Sequence, residues 1–147
     1  MAVVELTKDT FAETVAGEGI TLVDFWAEWC GPCRSFAPVY KKSADKHEDI
    51  VFGKVDTEAE QELAMAFDIR SIPTLMIVRD GVTLYQHPGA LPESALEDLI
   101  AQARALDMDE VRKALAEREA EAAGSETAGS EAAGATDAKS AAESATV

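Results

Sequence analysis

The sequence predicts an α/β domain built on a central mixed β-sheet with helices on both faces. Three observations carry that expectation. Short apolar runs alternate with segments of helical spacing through the first half of the chain. Two strand-like runs, 74–78 and 82–85, flank Asp80-Gly81, the pair that most strongly favours a two-residue hairpin. A last segment, beginning at a proline, then carries an apolar stripe at helical spacing. Strand–helix–strand crossovers give a parallel part of the sheet, and the hairpin adds an antiparallel edge.

The elements follow in order. Residues 3–6 form a short apolar strand. Thr7 is placed to cap a helix through Phe11, Ala12 and Val15 that stops at Gly17 and Gly19. Residues 20–27, I-T-L-V-D-F-W-A, are β-branched and aromatic without polar alternation, as expected of a central strand covered on both faces. A helix over 32–46 places Phe36, Val39 and Tyr40 on one side, with Pro38 unable to donate to the Arg34 carbonyl and so expected to kink it. Residues 50–56 are a strand, and T-E-A-E at 57–60 has the spacing of a capping box that opens a helix through Leu63, Ala64 and Phe67. After the hairpin, Leu96, Leu99, Ile100, Ala103 and Leu106 mark the final stripe. The domain is expected to span residues 1–106. Residues 107–121 are expected to be a helical extension with little apolar content. Residues 122–147, a loose Ala/Gly/Ser/Glu repeat, are expected to be a disordered tail, because they offer too little apolar surface to offset ordering entropy.

Composition narrows the function. The net charge of -15, from 28 acidic and 13 basic residues, disfavours a nucleic acid or an anionic membrane as partner. The longest apolar runs, such as L-M-I-V at 75–78, fall far short of the roughly 20 residues that cross a bilayer. The N-terminal segment has no basic n-region and carries Glu5, so it reads as neither a signal nor a transit peptide, and a cytoplasmic location is expected.

W-C-G-P-C, residues 29–33, holds both cysteines of the chain. Such a pair can be a structural staple, half a metal site or a redox reagent. A reducing compartment works against the staple. A structural zinc site needs four ligands, and the remaining nitrogen donors, His47 and His87, are 40 positions apart. The redox reading uses every residue of the quartet. Cys30 falls where a buried strand meets a helix, so unpaired N–H groups and the helix dipole favour its thiolate. Cys33 lies one turn further on, within reach of Cys30 and expected to be less exposed. Pro32 suits the first helical turn, and Gly31 leaves the backbone beside the nucleophile uncovered.

Asp24 strengthens that reading. A carboxylate between Val23 and Phe25, on a strand covered on both faces, costs desolvation energy and should have a raised pKa, as a group exchanging protons with a thiol needs. The bland reading is a strand-end aspartate facing water. Lys54, on the neighbouring strand, could hold the carboxylate; otherwise it is a solvated edge lysine.

D-F-W-A-E-W-C-G-P-C at 24–33, I-P-T at 72–74 and P-G-A at 88–90 resemble the motifs of the thioredoxin family in order and spacing, from residue 3 to about residue 106. The resemblance implies a thioredoxin fold and a protein-disulfide reductase, an electron carrier in cell redox homeostasis. Cys30 would attack a target disulfide, Cys33 would resolve the mixed disulfide, and Asp24 would assist proton transfer, with Gly31, Pro32 and Lys54 supporting. It further implies a cis bond before Pro73 and a shallow apolar groove lined by Trp29, Ile72, Pro73 and Gly89. No cofactor would be bound beyond the redox-active Cys30–Cys33 disulfide, which thioredoxin reductase would re-reduce with NADPH. The partners would be that reductase and disulfide-containing targets, met by a monomer. Gly-Pro between the cysteines resembles the reducing members. Arg34 stands where lysine is common, and Ser71 and Pro88 depart from the usual groove residues, which bears on target preference. The alternative is a chaperone-like module that uses the same groove and the C-terminal extension to bind peptides or a fixed partner.

Overall fold

The computed structural model describes residues 3–128, with side chains through residue 122. A first unit, Met1–Ala105, contains the sheet. Its elements are β1 (Val4–Glu5), α1 (Phe11–Ala16), β2 (Ile20–Trp26), α2 (Gly31–Lys46), β3 (Val51–Asp56), α3 (Gln61–Ala66), β4 (Thr74–Arg79), β5 (Val82–Pro88) and α4 (Glu93–Ala105). The five strands lie in the order β1-β3-β2-β4-β5. β1, β3 and β2 are parallel, whereas β4 is antiparallel to both its neighbours, β2 and β5, so the mixed sheet is the one expected.

β2 explains its own sequence. Every residue from Ile20 to Phe25 is buried, and the side chains divide alternately between two cores. Leu22 joins Phe36, Tyr40, Phe52, Leu75, Leu96 and Ile100 under α2 and α4. Val23 and Phe25 join Phe11, Val55, Met76 and Val78 under α1 and α3. Both faces need apolar residues, and no polar alternation is possible. In the second core, Phe11, Phe25 and Phe67 meet at tilted ring contacts of 5.0 to 6.4 Å. At the hairpin, Asp80 and Gly81 both take positive φ, 52° and 80°, as a primed turn requires.

Local capping differs from the sequence expectation in two places. Thr7 does not cap α1; its carbonyl accepts from Thr10 and Phe11 N–H, closing a turn that delays the helix to Phe11. The capping box at 57–60 does not form either. Asp56 Oδ1 accepts from Glu58 N–H at 2.9 Å, Thr57 Oγ1 donates to the Trp26 carbonyl, and Glu60 Oε1 accepts from Lys8 N–H at 2.7 Å. These competing partners hold 57–59 as a turn, and α3 begins at Gln61. α2 runs without interruption through Pro38.

The far end of α2 is fastened to α4. Ser43 Oγ donates to Glu97 (2.6 Å), the His47 ring meets Glu97 at 2.8 Å, and Arg104 pairs with Asp49 at 2.7 and 2.9 Å. The Arg104 hydrogen bonds hold the Asp49 carboxyl down at about 2. Beyond the first unit, α5 (Met108–Ala128) is helical and continues seven residues past the boundary at 121, consistent with the alanine content of 120–123. The rest of the expected tail, from residue 129, lies outside the described residues.

Gly53 on β3 has no room for a side chain: a Cβ there would sit 2.5 Å from Leu6 Cδ1 and 2.9 Å from its Cγ. Gly53→Ala is expected to destabilise the domain by about 1–3 kcal/mol through overpacking. In a urea-unfolding double-mutant cycle with Leu6→Ala, the pair should cost less than the sum of the singles; additive costs would show that the Leu6 contact does not limit position 53.

Candidate functional site

β2 delivers the chain to the site. After Trp26 the backbone turns, with Cys30 N–H donating to the Ala27 carbonyl at 3.2 Å, and α2 starts at Gly31-Pro32. Cys30 is therefore the N-cap residue, and its Sγ accepts from Cys33 N–H at 3.1 Å. Cys30 and Cys33 are joined by a disulfide, their Cα atoms 5.2 Å apart. A sulfur at this position occupies the place of a capping oxygen, where free N–H groups and the helix dipole stabilise negative charge. Gly31 and Pro32 are exposed, and a Cβ on Gly31 would meet nothing within 4 Å.

Exposure does not distinguish the two cysteines as expected. Cys30 is 4% and Cys33 3% exposed, because both sulfurs lie in one apolar pocket with Ala27, Trp26 and Ile72. The Ile72 carbonyl oxygen lies 3.7 Å from Cys30 Sγ. In the disulfide that sulfur has no hydrogen to donate, so the approach is a contact; a reduced thiol could donate there.

The Ile72–Pro73 peptide bond is cis. Pro73 is buried, and its carbonyl accepts from Gly89 N–H at 2.8 Å. Gly89 takes φ 117°, a conformation that favours glycine, so the 88–90 loop is pinned beside the proline. Ile72, Pro73 and Gly89 thus share one edge of the site. Trp29 is not among the residues packed around the buried sulfurs. Its ring is 67% exposed, and its Nε1–H donates to Glu58 Oε1 at 2.6 Å. The cleft at its side, about 330 Å³, is lined by Glu28, Trp29, Asp56 and Glu58. The surface on this side of the tryptophan is acidic.

Asp24 is 4% exposed, which rules out a strand-end carboxylate facing water. It pairs in register with Lys54 on β3 and Leu75 on β4. Its Oδ1 has no hydrogen-bond partner, and burial raises its pKa from 3.8 to about 7, against a smaller opposing pull from the Lys54 charge. Lys54 does not clamp the carboxylate. Its ammonium lies 3.6 Å from Glu5 and 4.6 Å over the Trp26 ring, so it acts on Asp24 through space.

Trp26, Ala27, Tyr40 and Glu58 belong to this neighbourhood and went unassigned in the sequence. Trp26 follows Asp24 by two residues on the same face of β2, a period-2 signal that could have placed it near the sulfurs. Tyr40 donates from Oη to the Gly53 carbonyl at 2.7 Å; burial first, then the Asp24 charge, raises its pKa. Glu58 had no signal, because its role depends on how the 57–59 turn meets Trp29. Arg34 is exposed, and its N–H donates to the Cys30 carbonyl. Among the described residues no group of three or more His, Cys, Asp and Glu is placed to hold a metal ion. His47 is engaged by Glu97 and Arg104, and His87 stacks on Tyr85 at 5.9 Å.

Comparison with known proteins agrees with this geometry. The family model described as Thioredoxin matches residues 2–102. A Streptomyces coelicolor relative bearing the same family name is 65% identical over 119 residues, 81% of this chain and 89% of that protein. The thioredoxin of Bacillus subtilis is 40% identical over 102 residues, covering 68% of this chain and 96% of its own. Among solved structures, a Plasmodium falciparum thioredoxin aligns with TM-score 0.63 at 34% identity, covering 68% of this chain and 98% of that one. Malassezia sympodialis thioredoxin aligns with TM-score 0.63 at 32% identity, covering 69% and 90%.

The buried carboxyl should leave a mark on stability. Its folded pKa is raised, so below about pH 4 both folded and unfolded states hold the proton and no penalty exists. Between about 4 and 7 only the unfolded state ionises, and stability falls; above about 7 the penalty is constant. At about 1.4 kcal/mol per pKa unit this amounts to a few kcal/mol. In urea titrations across pH, Asp24→Asn should therefore gain on the wild type progressively from pH 4 to pH 7. Parallel profiles would contradict the burial penalty.

Proposed function

The chain belongs to the thioredoxin family and is a protein-disulfide oxidoreductase acting by dithiol–disulfide exchange, and from that premise we propose the roles of its residues and partners. Cys30, as thiolate, attacks one sulfur of a target disulfide; a Cys30–target mixed disulfide forms and a target thiolate leaves. Asp24, as carboxylate, takes the proton of the Cys33 thiol. The Cys33 thiolate then attacks Cys30 Sγ, the second target thiolate leaves and is protonated, and the protein is left with its Cys30–Cys33 disulfide. The target gains two electrons from the two cysteine sulfurs and two protons, one taken from solvent in place of the one Cys30 lost on ionising and one that Asp24 took from Cys33 and gives up again. What supports this reading most is the Cys33 N–H that donates to Cys30 Sγ at the head of α2, because it stabilises charge on the attacking sulfur. A carboxyl with a pKa of about 7 is also suited to exchanging protons at neutral pH.

The target segment would lie across Ile72, Pro73 and Gly89, with Trp29 at the rim and Gly31-Pro32 leaving the sulfur approachable. Lys54 would tune the Asp24 charge. The protein would carry no bound cofactor; thioredoxin reductase, drawing on NADPH, would return it to the dithiol. A cytoplasmic setting and a monomer fit a freely diffusing carrier kept reduced. No described helix is long and apolar enough to cross a membrane. No observation favours the chaperone-like alternative over exchange. We assign activity to residues 1–106, with 107–121 and 122–147 as an extension outside the chemistry.

Insulin reduction with NADPH and thioredoxin reductase tests the scheme. Wild type should turn over, and Cys30→Ser should not; turnover surviving in Cys30→Ser would sink the assignment. Cys33→Ser should accumulate mixed disulfides with target proteins, resolvable by added dithiol. A chain ending at residue 106 should keep wild-type turnover, and a large loss would bring the extension into the mechanism.

A further inference from the structure

A cleft of about 290 Å³ opens at Asp24, lined by Val3, Asp24, Ala37, Tyr40, Lys41 and Lys54. Two features make it a ligand site. Asp24, almost wholly buried and with an Oδ1 that has no hydrogen-bond partner, contributes to its lining. Around it stand an apolar wall of Val3, Ala37 and the Tyr40 ring, and the two lysines. We propose that this cleft binds a small amphiphilic carboxylate, an aromatic or branched aliphatic acid, and that its occupancy slows proton transfer at Asp24. The second half rests on the role given to Asp24 above.

The chemistry selects the ligand. Its anion would pair with the Lys41 and Lys54 ammonium groups and accept a hydrogen bond from protonated Asp24, while its apolar body covers Val3, Ala37 and Tyr40. An amine would meet two like charges. The volume, at the low end for ligand pockets, limits the guest to about the size of a single ring. Bound there, the anion holds the proton on Asp24 and withholds the base that the Cys33 thiol needs.

Binding then depends on pH. The groups facing Asp24 are Lys54 on β3, with Glu5 on β1 beside it, and Tyr40 and Lys41 on α2; Leu75 on β4 is apolar. The Tyr40 hydroxyl stays protonated, and in the oxidised protein the cysteines do not titrate, so Asp24 sets the profile. With a pKa of about 7, its protonated fraction falls from about nine-tenths at pH 6 to about one-tenth at pH 8. The apparent affinity should fall roughly tenfold.

Sodium benzoate is titrated into the oxidised full chain, followed by amide NMR at pH 6 and pH 8, with benzamide as the uncharged control. Saturable shifts are expected at Asp24, Ala37, Lys41 and Lys54, with affinity roughly tenfold weaker at pH 8, and benzamide inert. Asp24→Asn, which keeps a donor but does not titrate, should bind equally at both values. Non-saturating or scattered shifts, or equal binding of benzamide, would mean that the cleft holds only solvent and overturn the site. Pronounced pH dependence persisting in Asp24→Asn would remove Asp24 from it. Saturating benzoate should slow insulin turnover of the wild type; binding without slowing overturns the regulatory half. Because binding is read without turnover, failure of the site is distinguishable from failure of the Asp24 role, which would show as Asp24→Asn exchanging at wild-type rates.

Discussion

β2 bonds to β3 on one side and β4 on the other, and its side chains enter both cores, so its backbone has almost no freedom to shift. That constraint places Asp24 in the interior, two residues before the Trp26 that lines the sulfur pocket. It also fixes where the chain emerges, and hence where α2 begins. The N-cap position of Cys30 follows from the end of this strand rather than from any property of the cysteine. A buried, unpaired carboxyl is tolerable because the surrounding sheet is over-determined: the cost of Asp24 is a few kcal/mol against two well-packed apolar cores.

The site is assembled from segments far apart in sequence. The turn at 27–30 and the start of α2 supply the sulfurs, the loop before β4 supplies the cis proline, and the loop after β5 supplies Gly89. Because β4 lies next to β2 and β5 next to β4, the antiparallel half of the sheet brings these loops to the same end as the head of α2. Charge around them is not uniform. The Trp29 side is bordered by Glu28, Asp56 and Glu58, whereas the Asp24 cleft has two lysines at its mouth.

Much of this was legible in the sequence, for identifiable reasons. The uninterrupted apolar run of β2, the Asp80-Gly81 hairpin and the helical stripes depend on short-range periodicity, which the structure preserves. Asp24 could be identified because a charged residue inside such a run has no cheap explanation. The capping expectations failed in contests between hydrogen-bond partners. At 57–60, Thr57 N–H and Oγ1 donate to the Trp26 carbonyl, Glu60 N–H donates to the Asp56 carbonyl and the Glu60 carboxylate accepts from Lys8 N–H, so the groups a capping box would use are engaged elsewhere, and at Thr7 a turn precedes the helix. Such contests are decided by what lies nearby in space. The acidic border of Trp29 and the near-equal burial of the cysteines escaped for the same reason: each depends on two segments meeting.

The clasp of Ser43, Glu97, His47, Arg104 and Asp49 acts on the end of α2 opposite the sulfurs. A helix tethered at its foot behaves as a post rather than a piston. Opening and closing the Cys30–Cys33 bond must then be absorbed by rotations within the first turn, without sliding α2 along the sheet. Oxidised and reduced forms would present nearly superposable scaffolds. Partners that must tell them apart, a reductase seeking the disulfide and a target seeking the dithiol, would have to read the sulfurs and the few atoms around them.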